Sequence, residues 1–133
     1  MVLELDAATL QHYPGGVATR HEPLTAARAL PGSARRAFGA ISTDGGLVAM
    51  TWTDVDGVRA ETDFTVVREA DRGRGFGTAV KAAALLALLD AGVRLFRTGG
   101  SSENAASIAT NRRLGYVLDE EWLTLEPRSP EQP

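Results

Sequence analysis

The stretch Thr65-Val66-Val67-Arg68-Glu69-Ala70-Asp71-Arg72-Gly73-Arg74-Gly75-Phe76-Gly77-Thr78-Ala79-Val80-Lys81 narrows the folds open to this chain more than any other. It reads as a strand, a basic turn with glycine at alternate positions, and the opening of a long apolar helix. Glycines at 73, 75 and 77 remove side chains where a ligand's phosphates approach the backbone. A helix beginning there directs unpaired N–H groups and its positive dipole end into the same space. The turn is therefore an anion site, and the fold must place a strand, this turn and a helix in series.

The rest of the chain sets the context. Its 133 residues suit one domain, expected over 1–126 with its core at 36–125, followed by a disordered Pro-rich tail over 127–133. A net charge of −3 argues against a general nucleic-acid partner. The absence of cysteine removes disulfides, thiolate metal sites and a cysteine nucleophile, and no metal is expected. The N-terminus lacks a signal-peptide pattern, and the most apolar run, Ala79 to Leu89, is interrupted by Lys81 and falls short of a membrane span. The expectation is a cytoplasmic protein with no membrane partner. Thirteen of the fourteen basic residues are arginine.

Taken in order, Leu5–His12 is expected to be a short helix with Asp6 as its N-cap, stopped by Pro14-Gly15-Gly16. Val17–Arg20 is a short strand candidate and Thr25–Leu30 a brief helix. Ala37–Ser42, Leu47–Thr53 and Val58–Val67 form an antiparallel meander joined by turns at Thr43–Gly46 and Asp54–Gly57. A helix over Gly75–Ala91 ends at Gly92, with Leu85, Leu86 and Leu89 widening its apolar face beyond that of a half-buried helix. Val93–Thr98 is a strand, Asn104–Leu114 a second helix capped by Asn104, and Tyr116–Leu118 and Glu121–Leu125 two closing strands. The order β-β-β-α-β-α-β-β predicts an α/β (α+β) fold with a mixed, mostly antiparallel sheet.

Three phosphate ligands compete for the turn. A nucleoside-triphosphate loop needs Gly-Lys-Ser/Thr, and Gly77-Thr78 lacks the lysine. A dinucleotide fingerprint needs a third glycine where Thr78 stands, and an acidic residue about 20 positions on, where the Val93–Thr98 strand lies. Coenzyme A remains. Arg72-x-x-Gly75-x-Gly77, preceded by Thr65-x-Val67 and followed by Asn104 and Asn111-Arg112-Arg113-Leu114-Gly115-Tyr116, resembles the GNAT superfamily of acetyl-CoA-dependent N-acyltransferases. The last segment is similar to the second domain of tandem, mycothiol-synthase-like members. The resemblance covers roughly residues 36–125.

That resemblance implies the GNAT acyl-CoA fold, acetyl-CoA as cosubstrate, and direct acetyl transfer to the primary amine of a small molecule or peptide. It implies that Thr65, Val66 and Val67 pair through their backbone with the pantetheine arm. Arg72, Gly73, Arg74, Gly75, Phe76, Gly77 and Thr78 would hold the pyrophosphate, and Asn104 and Asn111 would complete the cofactor site. Some members carry a catalytic glutamate eleven residues before the signature arginine, which is Glu61 here. Asp63 shares its strand face by alternation and is the second candidate base. Many members place a tyrosine acid where this chain has Asn111, an amide that cannot protonate a thiolate, so the acid would be water or another residue such as Tyr13. Gly100 and Ser107 also depart from the subfamily pattern. The short N-terminal region suggests a homodimer or partner domain completing the acceptor pocket. A competing reading is a degenerate domain that binds acyl-CoA or a partner without turnover. His12, His21, Trp52, Trp122 and Arg112-Arg113 are read as packing or solvated surface.

Overall fold

The computed structural model describes residues 2–10, 24–27, 29–99 and 105–118. Their elements are α1 (Val2–Leu10), β1 (Arg35–Ile41), β2 (Leu47–Asp56), β3 (Arg59–Val67), α2 (Phe76–Asp90), β4 (Leu95–Arg97) and α3 (Ala105–Arg113). The four strands form one sheet in the order β1-β2-β3-β4; the first two pairings are antiparallel and β3–β4 is parallel. The meander follows from its turns, but the second lies at Gly57-Val58 rather than over Asp54–Gly57, because β2 runs on to Asp56. The β2–β3 hairpin closes on two residues, with Asp56 opposite Arg59 and Gly57 at φ 62°. A positive φ at the first central position gives the turn the right-handed twist of its strands.

The sheet lies between helices. On one face Met50, Trp52, Phe64 and Val66 pack with Leu5 of α1 and with Leu24. On the other, Ala49 and Val67 meet Val80 and Phe76 of α2, and Ala60 meets Leu88 and Val93. The buried positions of α2 are Val80, Lys81, Ala84 and Leu88, a single face. The wider burial expected of this helix is corrected: Leu86 is 69% exposed and Leu89 is exposed as well. Only one side of a helix can lie on a sheet, and no described element covers the other. Gly92, at φ 102°, ends the helix as expected.

Other expectations change. The first helix starts before Leu5, so Asp6 is not its N-cap. Asp6 is buried inside α1, and its carboxylate accepts the Leu24 N–H at 2.8 Å. Thr25–Leu30 is a turn, closed by Ala29 N–H to the Thr25 carbonyl, rather than a helix. Residues 116–118 form no strand: Tyr116 N–H closes the end of α3 on the Asn111 carbonyl, and Val117 and Leu118 are exposed. The expected elements at Val17–Arg20 and Glu121–Leu125, the tail over 127–133, Tyr13 and Asn104 lie outside the described residues.

Candidate functional site

The strand expected to lead into the glycine turn is β3, and its two edges behave differently. Along β2 it is laddered from Arg59 to Val67. Along β4 the ladder covers only Arg59–Leu95, Ala60–Phe96 and Glu61–Arg97. Beyond Glu61 no described strand flanks that side. The stretch from Thr62 to Val67 spans about 17 Å at ~3.3 Å per residue and ends at the turn. The β3 edge from Thr62 onward, up to the start of α2, therefore carries no partner strand among the described residues.

The turn itself is a short 3₁₀ segment, Glu69–Asp71, followed by Arg72-Gly73-Arg74-Gly75. Gly73 and Gly75 have φ of 76° and 86°, a region that side chains resist, and an added Cβ at either would meet nothing within 4 Å. These glycines serve backbone shape, and the space above them is open. Gly77 is different, since a Cβ there would sit 3.4 Å from Val67 Cγ2, so the helix lies close on β3. The first bond of α2 runs from Ala79 N–H to the Gly75 carbonyl, and no side chain caps the helix. The N–H groups of Phe76, Gly77 and Thr78 therefore point out of its N-terminus over the turn. Open space, three aligned donors and arginines on the rim fit a pyrophosphate.

Asp71, which sequence reasoning passed over, organises the arginines. It is buried, and its carboxylate takes Arg68 Nε at 2.6 Å and Arg74 Nη1 at 3.2 Å. Arg74 also lies over the Phe76 ring, 5.8 Å from its centroid. Arg72 Nε reaches back to the Val67 carbonyl at 3.4 Å. The cationic rim is held in place by a carboxylate beneath it, so its net charge is smaller than the arginine count suggests.

The two candidate bases occupy different settings. A slip in the β2–β3 register sets Trp52 opposite Phe64 and Thr53 opposite Thr62, which makes Asp63 the extra residue of a bulge. Asp63 Oδ2 is bound by Arg35 Nη2 at 3.0 Å, and the same guanidinium donates to Asp54 at 2.9 Å and stacks 4.9 Å from the Trp52 ring centroid. Glu61 is exposed, at the last pair of the described β3–β4 ladder. By alternation from buried Ala60, both carboxylates lie on the face turned from α2.

On the α2 face lies a residue that sequence reasoning noted only as an interruption of an apolar run. Lys81, the one lysine of the chain, is 6% exposed. Its Nζ donates to Asn111 Oδ1 of α3 at 2.5 Å and to Thr98 Oγ1, just past β4, at 3.0 Å. It also lies 5.5 Å from the Tyr116 ring centroid. Burial lowers its pKa from the ordinary 10.5 to about 8. Burial raises the pKa of the Tyr116 phenol, partly opposed by its hydrogen bond with Thr62. A cavity of about 10 Å³, lined by Thr51, Thr53, Thr62, Lys81, Phe96 and Tyr116 among others, lies between them. The only signal in the sequence was a lone lysine among apolar residues at a buried helical position.

A central sheet whose described parallel pairing ends short of a glycine-rich helix start defines a class: this is the acyl-CoA N-acyltransferase fold of the GNAT proteins. Among its solved neighbours are aminoglycoside and protein acetyltransferases and a transcriptional regulator from Bacillus halodurans. The structure is similar to the ribosomal-protein-S18-alanine N-acetyltransferase of Escherichia coli, with a TM-score of 0.65, 20% identity, and 85% of this chain and 70% of that chain covered. It is similar to the aminoglycoside N-acetyltransferase AAC(6')-Iy in complex with CoA (TM-score 0.60, 20% identity, 74% and 79% covered). A mutant of the BH1408 protein from Bacillus halodurans aligns over 96% of this chain and 89% of its own, with TM-score 0.72 and 14% identity. No family profile and no curated protein matches the sequence.

Proposed function

We propose that the chain is an acetyl-CoA-dependent N-acetyltransferase that passes the acetyl group directly to a primary amine of a small molecule or peptide. One observation carries the reading: the described β3–β4 pairing ends at Glu61, and the β3 edge beyond it leads to a glycine turn with three helix N–H groups over it. A long, extended ligand with an anionic end fits that track, its pyrophosphate on residues 72–78 and its pantetheine arm along Thr65, Val66 and Val67. Several of the solved neighbours are acetyltransferases, and AAC(6')-Iy is among them, in complex with CoA. Asn111 stands beside the same edge through Lys81 and Thr98; Asn104 is assigned to the cofactor site from its position in the sequence.

Glu61 is the base in this proposal. It is solvent-accessible at the end of the described pairing, whereas Asp63 is engaged by Arg35. Positioning both substrates supplies much of the rate, and a base adds about 10²–10⁴ where the amine arrives protonated. The assignment to the GNAT superfamily as a whole, and to its mycothiol-synthase-like branch in particular, belongs to the same proposal, as does a second subunit or domain completing the acceptor pocket.

Titration calorimetry and thermal denaturation with acetyl-CoA test the binding half. Saturable binding is expected, with stabilisation of about 2.7 kcal/mol at a hundredfold excess over Kd; no stabilisation at saturation overturns it. Glu61→Gln is then compared with wild type on an amine panel. A loss of about 10²–10⁴-fold in kcat is expected, and equal turnover at every pH removes Glu61 from the mechanism. A domain that binds acetyl-CoA yet acetylates nothing would match the non-catalytic alternative.

A further inference from the structure

Lys81 poses a physical question that the proposed function does not answer. A chain with thirteen arginines places its single lysine in the core face of α2. A buried ammonium normally has a carboxylate beside it. Among the described residues none lies within ion-pair distance of Nζ. The groups around it are Thr51 and Thr53 from β2, Thr62 from β3, Thr98 past β4, Asn111 from α3, and Tyr116. All are uncharged at neutral pH, and only Tyr116 titrates. Two of three ammonium protons are used on Thr98 and Asn111, leaving one donor and, among the described residues, no opposite charge beside it.

The position of this charge is informative. Thr62, which shares the small cavity with Lys81, is the first residue of β3 past the last β4 pairing. Lys81, five residues or about 7.5 Å of helix past Phe76, therefore lines the same cavity as the first residue beyond the described β3–β4 pairing. Acyl transfer from a thioester produces a transient oxyanion and then a thiolate, and of the two only the departing thiolate must gain a proton. The cavity of about 10 Å³ beside the Lys81 side chain has room for about one water-sized group, so only a single atom such as the sulfur would enter it.

Resting on the acyltransferase reading above, we infer that the Lys81 ammonium receives the thiolate leaving group of acyl-CoA, pairing with the sulfur and protonating it. In the step, the amine nitrogen bonds to the carbonyl carbon and the carbon–sulfur bond breaks with its electron pair on sulfur. A proton then passes from Lys81 Nζ to sulfur, giving CoA-SH and a neutral lysine. Lysine recovers its proton from solvent, and the proton lost by the amine leaves through the base. With a pKa of about 8, Lys81 is protonated at neutral pH yet matched to a thiol of about 8.5, a match no arginine offers. Thr98 and Asn111 aim the ammonium. They are positioning residues.

The test needs no acceptor. Free CoA is bound to wild type, Lys81→Met and Lys81→Gln, with Kd from calorimetry and folding from circular dichroism. The bound thiol is then titrated by its thiolate ultraviolet absorbance. Wild type is expected to lower the thiol pKa by about one pH unit or more, as an adjacent opposite charge does. Both variants are expected to bind CoA within about threefold of wild type and to lose that lowering. Identical thiol titrations in all three overturn the inference, because Gln keeps hydrogen bonds to Thr98 and Asn111 without the charge. A single acetyl group on Lys81 after incubation with acetyl-CoA, seen by peptide mass spectrometry, also overturns it, since Lys81 would then be a nucleophile. If wild type binds no CoA at all, the acyltransferase reading itself falls, an outcome distinct from these.

Discussion

At the scale of single residues, the site combines a charge cluster local in sequence, Asp71 with Arg68 and Arg74, with a lysine whose partners lie 17 and 30 residues away. Lys81 is the sharpest case, because its burial has a sign that can be checked. Its pKa of about 8 lies below the ordinary 10.5, so the folded state holds the proton more weakly than the unfolded chain. The resulting destabilisation is present in full below pH 8 and is relieved as pH rises from about 8 to 10.5, about 3 kcal/mol in all. Lys81→Met should therefore be more stable than wild type at neutral pH, by up to about 3 kcal/mol, with the gap narrowing above pH 8. Urea denaturation at a series of pH values measures this, and a gap that widens with pH contradicts it. Asp71 is the converse case, a buried carboxylate whose removal leaves Arg68 and Arg74 without their common anchor. Asp71→Ala should lose about 1–3 kcal/mol and weaken CoA binding, although it makes the turn more positive. Tighter binding in the variant would mean that the arginines act by charge alone.

At the scale of elements, what was legible in the sequence was what the sequence decides locally. The β2–β3 hairpin announces itself by turn residues, α2 by its run from Phe76 to the Gly92 stop, and the cradle by glycines at 73 and 75, whose positive φ only glycine takes easily. Gly75→Ala, which meets no steric clash but must hold φ near 86°, should lose about 1–2 kcal/mol and weaken CoA binding. Unchanged stability would show that the turn relaxes. The bulge at Asp63 was not legible, because a register slip depends on the partner strand. Neither was the early end of the β3–β4 ladder, although Glu61 and the turn that bracket that edge were both marked. The resemblance proposes a cofactor track along Thr65 to Val67, and the short β3–β4 pairing leaves that stretch of edge without a described partner strand. It could not locate the buried cation, which arises only when α2, α3 and the end of β4 converge.

At the scale of the whole molecule, the sheet is covered on its second face by a short helix, attached through Leu5 and through one buried polar contact. Asp6 lies within α1, where a capping role by its sequence position had been expected, and its carboxylate accepts the Leu24 N–H across eighteen residues of chain. This bond holds α1 and Leu24 together over Met50, Trp52, Phe64 and Val66, the apolar face behind Glu61 and Asp63. A buried backbone N–H that loses its acceptor is destabilising by about 1–3 kcal/mol. Asp6→Ala is therefore expected to lower stability by about that amount and to speed hydrogen exchange in α1 and beside Leu24 before it does so in β2. The α2 face should respond differently. The turn, Lys81 and the β3–β4 pairing are held by contacts that do not pass through α1. CoA affinity should thus stay within about threefold of wild type while turnover on amines falls, because the carboxylates on the α1 face are the ones proposed to meet the acceptor. Equal loss of both would show that the two faces of the sheet act as one cooperative unit.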